Sequence, residues 1–498
     1  MLKRACRILL LLPCAFCLNA RTYYVAPGGA DGNPGTLDLP FQTIARAASL
    51  VAAGDTISLR GGTYIVRAAI TLSRSGASTS RISVLAYAGE HPVLDGDSMA
   101  VGSSNRVIKL SGSYWTVRGL EIMRAGDNGM QITGSYNIVE ECSFHDNSDT
   151  GLQLDNGASY NRVIDCDSYN NADPLQGNAD GFAAKLGVGT GNSFLGCRAW
   201  QNSDDGWDGY LRGADGVTTT LDRCWSFANG YLADGSASSG NGNGFKMGGS
   251  DDKTLAHTMI LTRCLAFANR VKGFDQNNNR GSMTLLNCSG SANGTNYSVA
   301  QQLDSGQTLT LKNCLCLGDV GSVADFAIQA TNSWMAPFSV TAGDFVSIDS
   351  AGVRAPRAAD GSLPAVSFLH LAPGSDLIDA GTDVGLEYEG PAPDLGAFET
   401  DAALAVAPSA RTRGPSLGGF PNPFNPATVI TYRLAASGHV RLAVYDLLGR
   451  EVALLVNAVQ APGKYDVRFD GRGFPAGAYF CSLISGRERK LWKMNLVK

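Results

Sequence analysis

From Asp55 to about residue 330 the chain alternates short apolar stretches with turns, and nowhere in that span does it sustain a helical period. Two phrases recur through this text. One is a cysteine, four residues, then an asparagine: Cys142/Asn147, Cys166/Asn171, Cys197/Asn202, Cys224/Asn229, Cys264/Asn269 and Cys288/Asn293. The other is a glycine followed by a bulky apolar residue: Gly129-Met130, Gly151-Leu152, Gly181-Phe182, Gly206-Trp207, Gly244-Phe245 and Gly273-Phe274. The phrases stay constant while the spacers between them vary, as in a stacked repeat that puts insertions into loops. Coils of this length, rich in Gly, Asn, Thr and Val, predict a parallel β-helix. A leucine-rich repeat would need a leucine frame and a propeller four strands per unit, and neither is present. The asparagines are predicted to stack at a turn and the cysteines, which follow strand-like stretches such as Ile138–Cys142, to form a core ladder.

The ends of the solenoid read differently. Thr22-Tyr23-Tyr24-Val25 is an opening strand, and Phe41 to Ala53 carries a helical pattern that would cap the open end. Leu371 to Glu399 is expected to pack back as a closing segment, so the helical solenoid would occupy residues 21–400. Residues 401–419 shift to Ala, Pro, Ser, Arg and Gly and read as a linker. Beyond it, residues 420–498 alternate strands (Thr428 to Tyr432, Val440 to Tyr445, Val452 to Val456, Tyr465 to Phe469, Ala478 to Ser482) with turns, predicting a small Ig-like β-sandwich. The whole is all-β.

With 498 residues, 44% of them hydrophobic, the chain can hold a large core and more than one domain. A net charge of −5 provides no basic footprint for nucleic acid. Residues 1–20 read as a secretory signal peptide: Lys3, Arg4 and Arg7, an apolar run from Ile8 to about Leu18, and Ala20 as candidate cleavage point. No later segment approaches the roughly 20 apolar residues of a membrane span. A secreted, soluble monomer is expected. Of 12 cysteines, three lie in the leader. Seven others, Cys142 to Cys314, recur with the coils, and identical positions on adjacent coils suit stacked free thiols better than disulfide geometry. Cys316 and Cys481 have no such register. The five histidines are scattered and the mature chain has no CxxC pair, so zinc is not expected.

Aligning the glycine phrases puts candidate chemistry on one face. The residue two after the glycine is Gln131, Gln153, Ala183, Asp208, Lys246 and Asp275 in turn; before the glycine stand Asp180, then Asp204 and Asp205, then Asn243, then Lys272. Asp180, Asp204, Asp205 and Asp208 should therefore meet, with Lys246 one rung, about 4.8 Å, beyond Asp208. Crowded carboxylates raise one another's pKa unless a cation intervenes, and oxygen ligands favour a hard divalent ion, Ca²⁺ before Mg²⁺. Strict alternation would turn Asp180 and Asp205 inward while Asp208 points out, so this placement requires each glycine to mark a bend at the strand entrance. Asp-Gly and Asn-Gly taken singly are ordinary turns, and Trp207 with the Phe series is core; the combination is what points to a site.

At these residues the chain resembles polysaccharide lyase family nine, the pectate lyase family with a right-handed parallel β-helix. The matching text is Ala179–Lys185, Asn202–Asp208, Asn241–Lys246 and Lys272–Asp275, and the likeness spans roughly residues 22 to 400. It implies that Asp180, Asp204, Asp205 and Asp208 are calcium ligands and Lys246 the catalytic base, acting on pectate (polygalacturonate) by β-elimination. Lys185, Arg212 and Lys272 are the basic neighbours that would grip substrate carboxylates. Such a lysine must be neutral to act, so alkaline pH should favour it. The C-terminal segment, with Pro421-Asn422-Pro423-Phe424-Asn425-Pro426, Val444-Tyr445-Asp446 and Gly477-Ala478-Tyr479, resembles the sorting domain of type IX secretion. That likeness implies passage through the periplasm to the outside or the cell surface, with residues 420–498 engaging the secretion machinery. The aspartates alone would also permit a glycoside hydrolase or a non-enzymatic solenoid stiffened by calcium, and the C-terminal domain a plain spacer.

Overall fold

The structure, a computed structural model, describes residues 20–400, 416–434, 437–485 and 488–497. All but the last residue of the predicted leader and most of the predicted linker lie outside the described residues.

Three parallel sheets wind into a β-helix. One has 12 strands, from Thr22–Val25 to Ile328–Ala330; the second and third have 10 each, opening with Gly62–Ile65 and Ile70–Leu72. Each coil contributes one strand to the third sheet, then the first, then the second, as in Leu152–Leu154, Arg162–Ile164 and Asp167–Tyr169. Neighbouring strands of a sheet are thus one coil apart, and Leu152–Leu154 pairs in parallel with Phe182–Ala184.

The two corners flanking the second sheet explain the cysteine and asparagine phrase. The residue before each cysteine and before each asparagine sits in the left-handed region: Asp165 and Arg223 at φ 50° and 52°, Asn170 and Gln201 at φ 55° and 51°. Such backbone is costly for non-glycine residues and must be held by its surroundings. At the corner after the second sheet the asparagines hold it. Asn147 donates to Asn171 (2.8 Å), Asn171 to Asn202 (2.8 Å), Asn202 to Asn229 (2.9 Å), Asn229 to Asn269 (2.9 Å) and Asn269 to Asn293 (2.9 Å). Each Oδ1 also accepts the backbone N–H of the preceding asparagine, as Asn171 does from Asn147 at 3.1 Å. The cysteines stack as buried free thiols, with Cys166 and Cys197 Sγ 3.7 and 3.5 Å from carbonyls of the preceding coil. A second asparagine ladder, not anticipated from the sequence, joins Asn137, Asn161 and Asn192 at the remaining corner.

The glycine phrase interlocks with this ladder. A Cβ on Gly206 would lie 2.0 Å from Ser226 Oγ and 2.8 Å from Asn229 Nδ2, and one on Gly181 would lie 2.8 Å from Asn202 Nδ2. No side chain fits there. The glycines from Gly129 to Gly244 bend the chain just before their strand, as the placement of the aspartates required; Gly273 lies inside its strand, Lys272–Asp275. Behind them Phe182, Trp207, Phe245, Phe274 and Tyr297 stack at centroid spacings of 5.0, 5.0, 5.3 and 4.9 Å, all in the core.

The ends differ in extent from the sequence reading. The cap helix spans only Ile44–Ala48, begun by Thr43, whose backbone N–H and hydroxyl are both held by Asp31. The closing segment begins well before Leu371: Phe345 and Val353 already pack with Trp225, Phe227 and Phe267 on the outer face of the second sheet. Those contacts follow no period, so no sequence pattern announces them. The C-terminal domain has a three-stranded and a four-stranded antiparallel sheet around a core including Tyr432, Leu442, Cys481 and Met494. Its first strand, Ser416–Phe420, starts inside the stretch read as linker. Gly419 packs closely in that strand, since a Cβ there would lie 2.5 Å from the Trp492 ring.

The thiol ladder makes a testable statement. Denaturing the unreduced protein in an alkylating reagent should label all nine cysteines from Cys142 to Cys481. Mass spectrometry finding disulfides among them would contradict the ladder.

Candidate active site

The open face of the third sheet carries the glycine-plus-two column in the expected register. Gln131 pairs with Gln153, Gln153 with Ala183, Ala183 with Asp208, Asp208 with Lys246, and Lys246 with Asp275. Beside this column, on the bend before each strand, stand Asp180, Asp204 and Asp205, which can each bring an oxygen within 4.8 Å of the others. Exposure is 0% for Asp180 and Asp205 and 4% for Asp204.

Each carboxylate of the triad is aimed by a backbone donor. Asp180 Oδ1 accepts from Asp205 N (3.2 Å) and its Oδ2 from Thr150 Oγ1 (3.2 Å). Asp205 Oδ1 accepts from Asn243 N (2.9 Å), and Asp204 Oδ1 from Asn241 N. Asn243 was placed in the register from the sequence but given no role, and Asn241 and Thr150 were given none either; the two asparagines belong to the loop before Gly244. Of two buried oxygens in the cluster, Asn243 Oδ1 receives no hydrogen bond among the described residues, and Asp205 Oδ2 meets the Lys246 ammonium at 3.2 Å.

The two lysines are held by the aspartates. Lys246 Nζ lies 3.2 Å from Asp205 Oδ2 and 3.4 Å from Asp208 Oδ1, with the Tyr210 ring 5.4 Å away. Lys185 Nζ donates to Asp180 Oδ2 at 2.6 Å and lies 3.5 Å from Asp208 Oδ2. Asp208 therefore stands between two ammonium groups, outside the triad, and its Oδ1 also accepts from Tyr210 N (2.9 Å). Lys185 is a buried partner of the cluster. Arg212 lies on the surface, paired with Asp251 at 2.8 Å, and the partly exposed Lys272 pairs with Asp275 at 2.9 Å.

Burial pushes Asp180 up to about 7 despite Lys185, with Asp208 and Asp205 adding to the rise. Burial, with Asp205 and Asp180 beside it, lifts Asp204 to about 9. Asp205 is raised chiefly by burial too. For Asp208 burial is outweighed by Lys246 and Lys185, so it stays below the usual carboxylate range. Burial would lower both lysines, but the surrounding carboxylates raise them above the ordinary ammonium value. A triad of buried carboxylates that cannot all ionise together, with the unpaired Asn243 Oδ1 beside it, fits a hard divalent cation with oxygen ligands.

A parallel β-helix with a carboxylate triad and an adjoining lysine on one sheet face has the architecture of a carbohydrate-active enzyme. Residues 23–313 match the family described as Pel9A-like, right handed beta helix region, and the chain belongs to that family. It is a polysaccharide lyase. Its relatives include pectate lyase L of Dickeya dadantii, 40% identical over 393 residues covering 76% of this chain and 90% of that protein. Among solved structures, pectate lyase Pel9A is 39% identical with a TM-score of 0.71, covering 76% of this chain and 96% of that one. A rhamnogalacturonan lyase follows at 28% identity and a TM-score of 0.64, covering 71% and 97%. Residues 419–497 match the secretion system C-terminal sorting domain, which marks a secreted protein.

Removing the Lys185 ammonium would leave Asp180 buried without its closest charged partner. Lys185→Met should cost about 3–5 kcal/mol, read as a lower denaturation midpoint in chelator. A midpoint unchanged from the native chain would contradict the buried pairing.

Proposed function

We propose that the protein is a secreted, calcium-dependent pectate lyase that cleaves 4-linked polygalacturonate by β-elimination. The observation that carries this reading is Lys246 Nζ lying within 3.4 Å of both Asp205 and Asp208, at the edge of the Asp180/Asp204/Asp205 triad. Asp180, Asp204 and Asp205, with Asp208 beside them, are the calcium ligands proposed. Bound there, the ion would neutralise the carboxylates that keep Lys246 protonated and would withdraw charge from the uronate carboxylate next to C5.

The chain's own residues do the rest. Neutral Lys246 takes the C5 proton on Nζ; the C4–O4 bond breaks with its electron pair going to O4, a C4–C5 double bond forms, and water supplies the proton to O4. Asp208 and the Tyr210 ring orient the lysine, and Lys185 fixes Asp180 and Asp208 from within. Lys272 and Arg212, nearer the surface, are the residues proposed to grip substrate carboxylates, so their loss should raise KM more than it lowers kcat. Export follows the type IX route through the periplasm, directed by residues 420–498, and the enzyme acts as a monomer. A second reading, another acidic polysaccharide on the same face, is favoured by the likeness to a rhamnogalacturonan lyase.

Ultraviolet absorbance of the unsaturated uronate product separates these readings. With calcium, pectate should give the signal while alginate and glycosaminoglycans do not, and rhamnogalacturonan should give little. EDTA should abolish it, and Asp205→Ala should raise the calcium requirement by at least about tenfold with the circular dichroism of the β-helix retained. Full turnover on pectate in chelator would sink the calcium assignment.

A further inference from the structure

On the N-terminal side of Asp208 the same column holds a polar group that none of the roles above uses. Gln131 and Gln153, 5% and 6% exposed, lie on adjacent coils. Both turn their amide nitrogens onto one buried carboxylate. Gln131 Nε2 donates to Asp155 Oδ1 and Oδ2 at 2.9 and 2.8 Å, and Gln153 Nε2 donates to Asp155 Oδ2 at 2.7 Å. Asn156 Nδ2 adds a third donor at 3.1 Å. A carboxylate can only accept, so the NH₂ end of each glutamine must face Asp155 and its carbonyl oxygen must face away. Neither Oε1 accepts a hydrogen bond among the described residues, and neither is among the fully enclosed unsatisfied atoms. The next residue along the column, paired with Gln131, is Lys109, which is exposed between buried Ile108 and Leu110.

We infer that this stretch is a substrate subsite that reads sugar hydroxyls. Two fixed carbonyl oxygens accept hydrogen bonds from ring hydroxyls and repel a uronate carboxylate, so the sugars there must turn their carboxylates away. Lys109, one rung further out, takes the carboxylate of the last contacted unit. The ligand is the non-reacting arm of an acidic polysaccharide whose cleaved bond lies at Lys246. Asp155 is the positioning residue, because without it the amides could rotate and offer donors instead. With coils about 4.8 Å apart, Gln131 is about 14 Å and Lys109 about 19 Å from Asp208. Only a chain several sugars long reaches them.

This inference rests on the lyase reading and deepens it. The test compares kcat/KM of the full chain on hexagalacturonate and on trigalacturonate, for the native sequence, Gln131→Met and Lys109→Met. Each substitution should lower kcat/KM on the hexamer by about tenfold, mainly through KM, and leave the trimer within about twofold. Lys109 is on the surface, so its variant folds even if Gln131→Met does not. Equal losses on both oligomers, or no loss on either, would overturn the subsite while the lyase reading stands. Failure of the native chain to cleave either oligomer would overturn both.

Discussion

Every functional distance in this molecule depends on coil-to-coil register, and register depends on the asparagine ladder. One amide column satisfies the corner backbone of each coil with the side chain of the next, across sequence separations of 24, 31, 27, 40 and 24 residues. A slip by one residue would turn Asp208 and Lys246 into the apolar core and Trp207 and Phe245 onto the outer face, because alternate residues of a strand face opposite ways. The buried aromatic stack makes that slip costly. The long separation between Asn229 and Asn269 is absorbed outside the ladder, in the loop that supplies the Asn241 and Asn243 amides to the aspartates. The insertion that looks like a break in the repeat is part of the site.

The second constraint is electrostatic. Four aspartates and two lysines share one nearly dry patch, with exposures from 0% to 8%. At an effective dielectric near 20, unit charges about 4 Å apart interact by about 4 kcal/mol, larger than any single hydrogen bond that orients them. The two lysines offset part of the carboxylate repulsion: Asp208 between them stays below the usual carboxylate range, while Asp204, which pairs with neither lysine among the described residues, is lifted to about 9. The imbalance that remains is concentrated at Asp180, Asp204 and Asp205. Under the proposed function, a cation held by these three residues would complete the charge balance and loosen the hold on Lys246, so that metal binding would be coupled to the availability of the base.

Much of this was legible in the sequence because the glycine phrase is itself a register mark. It located Asp208 and Lys246 as neighbours, and the bend needed to bring Asp180 and Asp205 alongside them is a consequence of packing glycine against the asparagine amide. What was not legible depends on direction or on contacts without period. Lys185 follows Phe182-Ala183-Ala184 with no sign that its ammonium turns inward to Asp180. The closing segment before Leu371 is fixed by apolar contacts that repeat nowhere. The second asparagine ladder did leave a signal: Asn137, Asn161 and Asn192 each precede a coil cysteine by the same interval at which the first-ladder asparagines follow it.

The central claim is that ladder register delivers Lys246 to the carboxylate cluster as the proton acceptor. The most direct test is to measure kcat and substrate affinity on pectate for Lys246→Ala beside Lys272→Ala. The account predicts that Lys246→Ala binds calcium and substrate nearly as the native chain does but loses most of kcat, while Lys272→Ala chiefly raises KM. Near-normal kcat in Lys246→Ala with an inactive Lys272→Ala would move the base to the next coil and contradict the account.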